Sequence, residues 1–235
     1  MKSVFIVYHD LKSNGRSQEI LETSMHIADT TLVSYSKPDK ILGFKYIETG
    51  KGKRKYLPFI LGAVKSLWKE KPDLLFLHDN YTAILIFIAH IITKRSYIVY
   101  DSSELYIERS KTSRRACAAN ALRFFEKKFI KCANTRIAAN LERAEIMQKY
   151  FDLRTRPLVF DNVRMIRDEY DLNNCINKYR HLFDKDVFHI VYAGGIAKHR
   201  KTYEIVEAVG LLGKDYQLII VGQATDEKTT KFDMF

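Results

Sequence analysis

Short apolar runs with no inside–outside alternation are separated along this chain by stretches whose apolar residues recur at helical spacing. A strand that is apolar on both faces needs cover on both faces, and right-handed helical crossovers between parallel strands supply it. The pattern predicts an α/β chain with a Rossmann-like parallel sheet. Strands are expected over residues 4–8, 31–35, 73–77, 97–100, 136–139 and 158–160. Helices are expected over 18–26, 55–69, 82–92, 115–132 and 141–150. The helix over 55–69 offers Leu57, Ile60, Leu61, Val64 and Trp68 as an apolar stripe, and Pro72 stops it. These elements form a first domain over 1–165. A polar, charged connection over 166–186 follows. A second β-α-β unit then begins, with strands over 188–193 and 217–221 around a helix over 202–212 that carries Ile205, Val206, Val209 and Leu212. One such unit cannot bury its own sheet, so the domain over 187–235 is expected to be the start of an incomplete second Rossmann-like domain.

Ligands of open parallel sheets bind beyond the carboxyl ends of the strands. His9-Asp10, His78-Asp79, Asp101 and Asp161-Asn162 all stand at such ends. The same residue types cap helices and open turns, and both roles remain open for each of them. The sharpest segment runs from Val191 to Lys201, where a strand empties into Gly194-Gly195, then Lys198, Arg200 and Lys201, then a helix start. Glycines let a backbone approach phosphate closely, a helix N-terminus adds partial positive charge, and a guanidinium binds two phosphate oxygens at once. The segment is a candidate diphosphate site on Gly194, Gly195, Arg200 and Lys201, although it also fits a glycine turn followed by solvated lysines. Neither GxGxxG nor the P-loop signature is present.

Charge narrows the partners. The chain has 39 Lys and Arg against 28 Asp and Glu, a net +11, which favours phosphates, anionic membranes or nucleic acid. Residues 37–71 carry net +7 and residues 109–136 net +8. With Tyr56, Leu57, Phe59, Ile60 and Trp68, the first cluster could dock on an anionic membrane or simply form a solvated face. No RNA-binding signature or zinc-finger spacing accompanies the charge, so nucleic acid is not expected as a partner. Three cysteines without CxxC spacing exclude a disulfide scaffold and a Cys-only zinc site, and point to a reducing compartment. The longest apolar stretch is far shorter than the roughly 20 residues of a membrane span. The expected location is cytoplasmic, with peripheral attachment to the inner face of the cell membrane allowed.

Tyr192-Ala193-Gly194-Gly195, Arg200, Glu207-Ala208 and Val221-Gly222 occur in an order that resembles the donor-domain opening of GT-B-fold retaining glycosyltransferases of the family 4 (group 1) type. Tyr100-Asp101-Ser102-Ser103-Glu104-Leu105-Tyr106 is similar to a stretch of that family's first domain, as are the strand after a long helix at 134–140, the loop Asn14-Gly15-Arg16 and Asp161-Asn162-Val163. The resemblance implies transfer of a sugar from a UDP- or GDP-type nucleotide sugar to a glycan or lipid-linked acceptor, with retained anomeric configuration, in cell-surface polysaccharide assembly. It implies no cofactor and no metal, since fixed cations would stabilise the diphosphate. Arg200 falls at the family's diphosphate-binding cation, and Lys201 replaces a frequent glycine. The first domain would bind the acceptor, with Asn14, Gly15, His78, Asp79, Asp101 and Glu104 lining the cleft. Ser103 stands where many members have a histidine, and the family's pair of glutamates eight apart is absent after Gly222. A chain truncated in its donor domain is therefore expected, completed by a second chain or, alternatively, reduced to a non-catalytic acceptor-binding remnant.

Overall fold

The computed structural model describes residues 1–12, 14–50, 55–107, 114–162, 172–183 and 185–222. It separates into two compact units, 1–165 and 166–235. The first unit opens with β1 (Lys2–Val7), α1 (Gly15–Ile27), β2 (Asp29–Ser34), β3 (Lys45–Glu48) and α2 (Tyr56–Glu70). It continues through β4 (Leu74–His78), α3 (Ile84–Ile92), β5 (Tyr97–Ser102), α4 (Arg114–Phe129), β6 (Thr135–Ala138), α5 (Leu141–Tyr150) and β7 (Leu158–Val159). All seven strands pair in parallel, in the order β3-β2-β1-β4-β5-β6-β7. The Rossmann-like α/β fold is thereby established. Strand order reverses between β1 and β4, so the crevice for a ligand opens where those two strands end.

The core strands are buried on both faces, as unalternating runs require. Phe5, Val7, Leu32 and Phe76 pack in one cluster, while Val4, Ile6, Leu75, Leu77, Ile98 and Tyr100 pack in the other. β3 was absent from the expected strands. Its sequence, Lys45-Tyr46-Ile47-Glu48, has polar ends and only partly buried centres, because it is the sheet edge. The apolar stripe expected for α2 is corrected in part: Ile60 and Val64 pack against the core. The helix buries Phe59, Ala63, Ser66 and Leu67, whereas Leu57, Leu61 and Trp68 are 61–70% exposed. Phe59 is thus a core residue and is removed from any docking cluster.

In the second unit, β8 (Phe188–Ala193) and β9 (Tyr216–Val221) pair in parallel around α7 (Thr202–Gly210), preceded by α6 (Leu172–Tyr179). The stripe expected on α7 is matched in half: Ile205 and Val209 are partly buried. Only Thr202 of that helix is buried, and Val206 and Leu212 are exposed. Residues 163–171, 184 and 223–235 lie outside the described residues, and with them Val163, part of the expected connection and the tail after Gly222. Lys51, Lys53, Arg54, Arg109 and Lys111 of the basic clusters lie outside them too.

Candidate functional site

Parallel register carries the chemistry to one edge. Val7 is level with His78, and His78 with Asp101, so His9, His78, Asp79 and Asp101 emerge side by side. The segment from β1 into α1 supplies a fifth group. Asn14 caps α1 by accepting the Ser17 backbone N–H on its side-chain oxygen at 3.0 Å. That cap sets the first turn and points Arg16 inward. The Arg16 side chain is 5% exposed and forks onto the Asp101 carboxylate, with Nε 3.0 Å from Oδ2 and Nη2 on Oδ1. Its Nη1 donates to the Phe160 carbonyl and, at 3.0 Å, to Asn162 Oδ1. Asp101 also lies 2.7 Å from His78 Nδ1, while Ser17 Oγ is 3.1 Å from His78 Nε2.

Asp79 organises the other half. Its backbone sits at φ +59°, ψ 172°, a conformation suited to glycine. The carboxylate accepts the Ser103 N–H and hydroxyl at 2.8–2.9 Å, and Oδ2 lies 2.7 Å from His9 Nε2. Burial alone would push the Asp79 carboxyl up, but His78, His9 and Ser103 together hold it well below the usual carboxylate range. It is therefore ionised, and His9 Nε2 is the donor in that contact. Burial lowers the His78 imidazole, yet the carboxylates of Asp79 and Asp101 outweigh it and the net direction is upward. The result is a chain of polar and charged side chains, Arg16–Asp101–His78–Asp79–His9, whose half-buried end is His9. A partly accessible imidazole oriented by a buried carboxylate is equipped to take a proton from a hydroxyl. His9, His78 and Asp79 also offer three ligand atoms within 4.8 Å of one another, a spacing that a metal ion could use.

The residues expected to line the cleft divide by depth. Gly15, His78, Asp79 and Asp101 are buried and brace the edge from beneath. Asn14 spends its side chain on the α1 cap. Glu104 is exposed, 3.6 Å from Arg143 Nη2. Beside this cluster, a cavity of about 450 Å³ is lined by Asn80, Tyr81, Tyr106, Leu122 and Arg123, among others.

In the second unit the strand-to-helix corner is built as a close backbone approach. A Cβ on Gly222 would fall 1.7 Å from the Gly194 carbonyl oxygen, so the exit of β9 can only be glycine. Lys201 adopts the left-handed conformation, φ +58°, which turns the chain into α7. Its ammonium pairs with Glu204 at 3.0 Å. Arg200 is exposed and has no ionic partner among the described residues.

No protein-family model matches the chain, and no curated protein matches it. Solved structures do. A sucrose-phosphate synthase from Thermosynechococcus elongatus superposes over 97% of this chain and 63% of its own, at 12% identity and TM-score 0.61. A UDP-GlcNAc 2-epimerase from Neisseria meningitidis, bound to UDP-GlcNAc, covers 94% of this chain and 65% of its own at 10% identity and TM-score 0.54. The lipopolysaccharide outer core galactosyltransferase WaaB covers 97% and 62% at 14% identity and TM-score 0.51. The chain thus shares their fold and spans somewhat under two thirds of their length.

Proposed function

We propose that the chain is a glycosyltransferase of GT-B architecture that moves a sugar from a nucleoside-diphosphate donor to an acceptor hydroxyl on a glycan or lipid-linked saccharide. The observation that carries the reading is the β8-to-α7 corner. There Gly194-Gly195 turns the chain out of β8, with the Gly194 N–H donated to the Val221 carbonyl, the helix begins, and Arg200 stands exposed without an ionic partner among the described residues. Charge developing on a departing diphosphate would be met by Arg200, Lys201 and the N-terminal end of α7, with no metal needed. The names of the solved structures sharing this fold, which include a galactosyltransferase and a protein bound to UDP-GlcNAc, support the same class of donor. In the first unit His9, oriented by Asp79, would receive the acceptor proton. Retention of anomeric configuration, the family 4 assignment and a place in polysaccharide assembly follow from the resemblance, and NMR of the product's anomeric centre tests the first of these.

Calorimetry with UDP and GDP tests the donor site. Saturable binding that disappears in Arg200→Ala is the expected result. Absence of binding by a cooperatively folded protein refutes it and favours a non-catalytic acceptor-binding role. No helix among the described residues is long and apolar enough to cross a membrane. Peripheral docking on an anionic membrane is part of the proposal, because α2 exposes Leu57, Leu61 and Trp68 among Lys55, Lys65 and Lys69. Failure to pellet with anionic vesicles at low salt would overturn it.

A further inference from the structure

We infer that the acceptor is an acidic saccharide at least two sugar residues long, held along α4 beside the His9–Asp79 pair. This deepens the transferase reading and rests on it for the word acceptor. Two cavities of about 450 and 510 Å³ adjoin there, with Arg123 and Ile107 lining both. The first presents the rings of Tyr81 and Tyr106; the second presents Tyr150 and Phe124. Aromatic faces receive the C–H faces of sugar rings, and two such platforms in series fit successive residues. Tyr81 lies 5.7 Å from His9, ring centroid to ring centroid, so the first cavity reaches the proton-accepting end of that cluster.

Two observations in these cavities point to the ligand's polar groups. Asn80 is 6% exposed, and its Oδ1 is buried without a hydrogen-bond partner among the described residues. A buried acceptor of that kind asks for a donor, which a sugar hydroxyl supplies. Arg123 is 9% exposed, and its guanidinium touches only Asn120 Oδ1, with no carboxylate partner among the described residues. A buried guanidinium with no carboxylate partner among the described residues selects an anion, and it can hold a carboxylate or phosphate in a fork. Lys127, on the same wall one turn further, stands 5.2 Å over the Tyr150 ring and supplies a second cation. Asp79 is turned onto His9 and Ser103, and Glu126, one turn along α4 from Arg123, accepts the Tyr100 hydroxyl. Ring platforms alternating with cations, plus one buried hydroxyl acceptor, are the complement of a sugar chain bearing carboxylate or phosphate groups.

The test is NMR titration of the full chain with three probes: a hyaluronan tetrasaccharide, glucose 6-phosphate and neutral maltotetraose. The expected result is that an acidic probe perturbs Tyr81, Tyr106 and Tyr150 resonances and binds at least about tenfold more tightly than maltotetraose, an advantage that added salt erodes. The tetrasaccharide and the sugar phosphate distinguish carboxylate from phosphate as the anion. Arg123→Gln should abolish the preference for the acidic probe, and Arg123→Lys should restore part of it. Should Arg123→Gln fail to fold, Lys127→Gln is the independent variant, since that side chain is exposed; it should weaken tetrasaccharide binding more than maltotetraose binding, and an equal effect on both counts against the inference. Equal binding of acidic and neutral probes, or no binding of either acidic probe, overturns the inference. UDP calorimetry on the same sample separates the two failures. UDP binding without acidic preference sinks only the acceptor class, whereas acidic preference without UDP binding sinks the transferase reading and leaves a saccharide-binding groove.

Discussion

Glu126→Gln should stabilise the first unit above neutral pH, by an amount the structure sets. Glu126 is 2% exposed, and one of its carboxylate oxygens accepts the Tyr100 hydroxyl at 2.6 Å. Burial pushes its carboxyl from an ordinary 4.5 up to about 7; the Tyr100 hydrogen bond works against the shift and the Asp79 charge adds to it. A carboxyl whose folded value lies above its unfolded one binds its proton more tightly in the folded state. The associated stability is fully present below the unfolded value and is lost as pH rises through the folded value. The displacement corresponds to about 3 kcal/mol. Glutamine keeps an oxygen for Tyr100 and never ionises, so the variant lacks this loss. Urea unfolding between pH 4.5 and 8.5, followed by fluorescence of Trp68, the sole tryptophan and a residue of the first unit, reads the difference. The stability of the variant relative to the wild type should climb by about 3 kcal/mol, mostly below pH 7, then level off. In melting temperature that is about 6–12 °C for a unit of this size. The remaining titratable groups are common to both proteins. Parallel profiles would refute the reasoning, because they would mean that Glu126 ionises as if wet.

Three further outcomes follow from the same structure. Arg16→Met removes the fork on buried Asp101 and should cost about 3 kcal/mol, the low end for a broken buried pair because His78 remains on Asp101; adding Asp101→Asn should recover part of it, and a loss under about 1 kcal/mol would show that the pair braces nothing. Gly222→Ala places a methyl group on the Gly194 carbonyl and should destabilise the second unit by about 2 kcal/mol or more. Hydrogen exchange would show this as faster exchange in β8 and β9 with β1 unchanged, and unaltered β8 protection would contradict it. EDTA should leave UDP binding and transfer intact if Arg200 and Lys201 stabilise the diphosphate; a loss restored by zinc and absent in His9→Ala would instead assign a metal to His9, His78 and Asp79.

Much of the sheet was legible because burial on both faces leaves an unmistakable mark, as in Val4 to Val7 or Leu74 to Leu77. β3 left no such mark, since an edge strand with Lys45 and Glu48 at its ends reads like a loop. α2 misled for a different reason. It carries two apolar stripes, and the sequence does not say which one faces the sheet; the larger residue, Trp68, faces solvent. At the site, His78, Asp79 and Asp101 were visible as polar residues at strand ends. Their pairing was not, because His9 meets Asp79 across 70 positions only through a strand order that local pattern does not encode. Arg16 left no such signal, because the expected helix began at 18 and placed it in a loop; in the structure it stands in the first turn of α1, where the helix dipole disfavours a cation and Asp101 holds it.

Asp79 ties these strands together. A non-glycine residue at φ +59°, ψ 172° stores about 1–3 kcal/mol of backbone strain. Glycine would relieve that strain but would leave His9 without its carboxylate and Ser103 without its acceptor. The strained geometry is maintained from several directions. Asp79 N–H donates to the Asp101 carbonyl at 2.8 Å, the Asp79 carbonyl accepts the Thr82 N–H at 2.9 Å, and the side chain is held by Ser103 and His9. Every one of these partners stands at or just beyond the end of a strand beside the β1–β4 switch point. A chain with no use for a charged group there would satisfy the turn with glycine and the imidazole with water. Retaining an ionised, strained, fully buried aspartate makes sense if its task is to fix the tautomer and direction of His9, the half-buried end of that cluster.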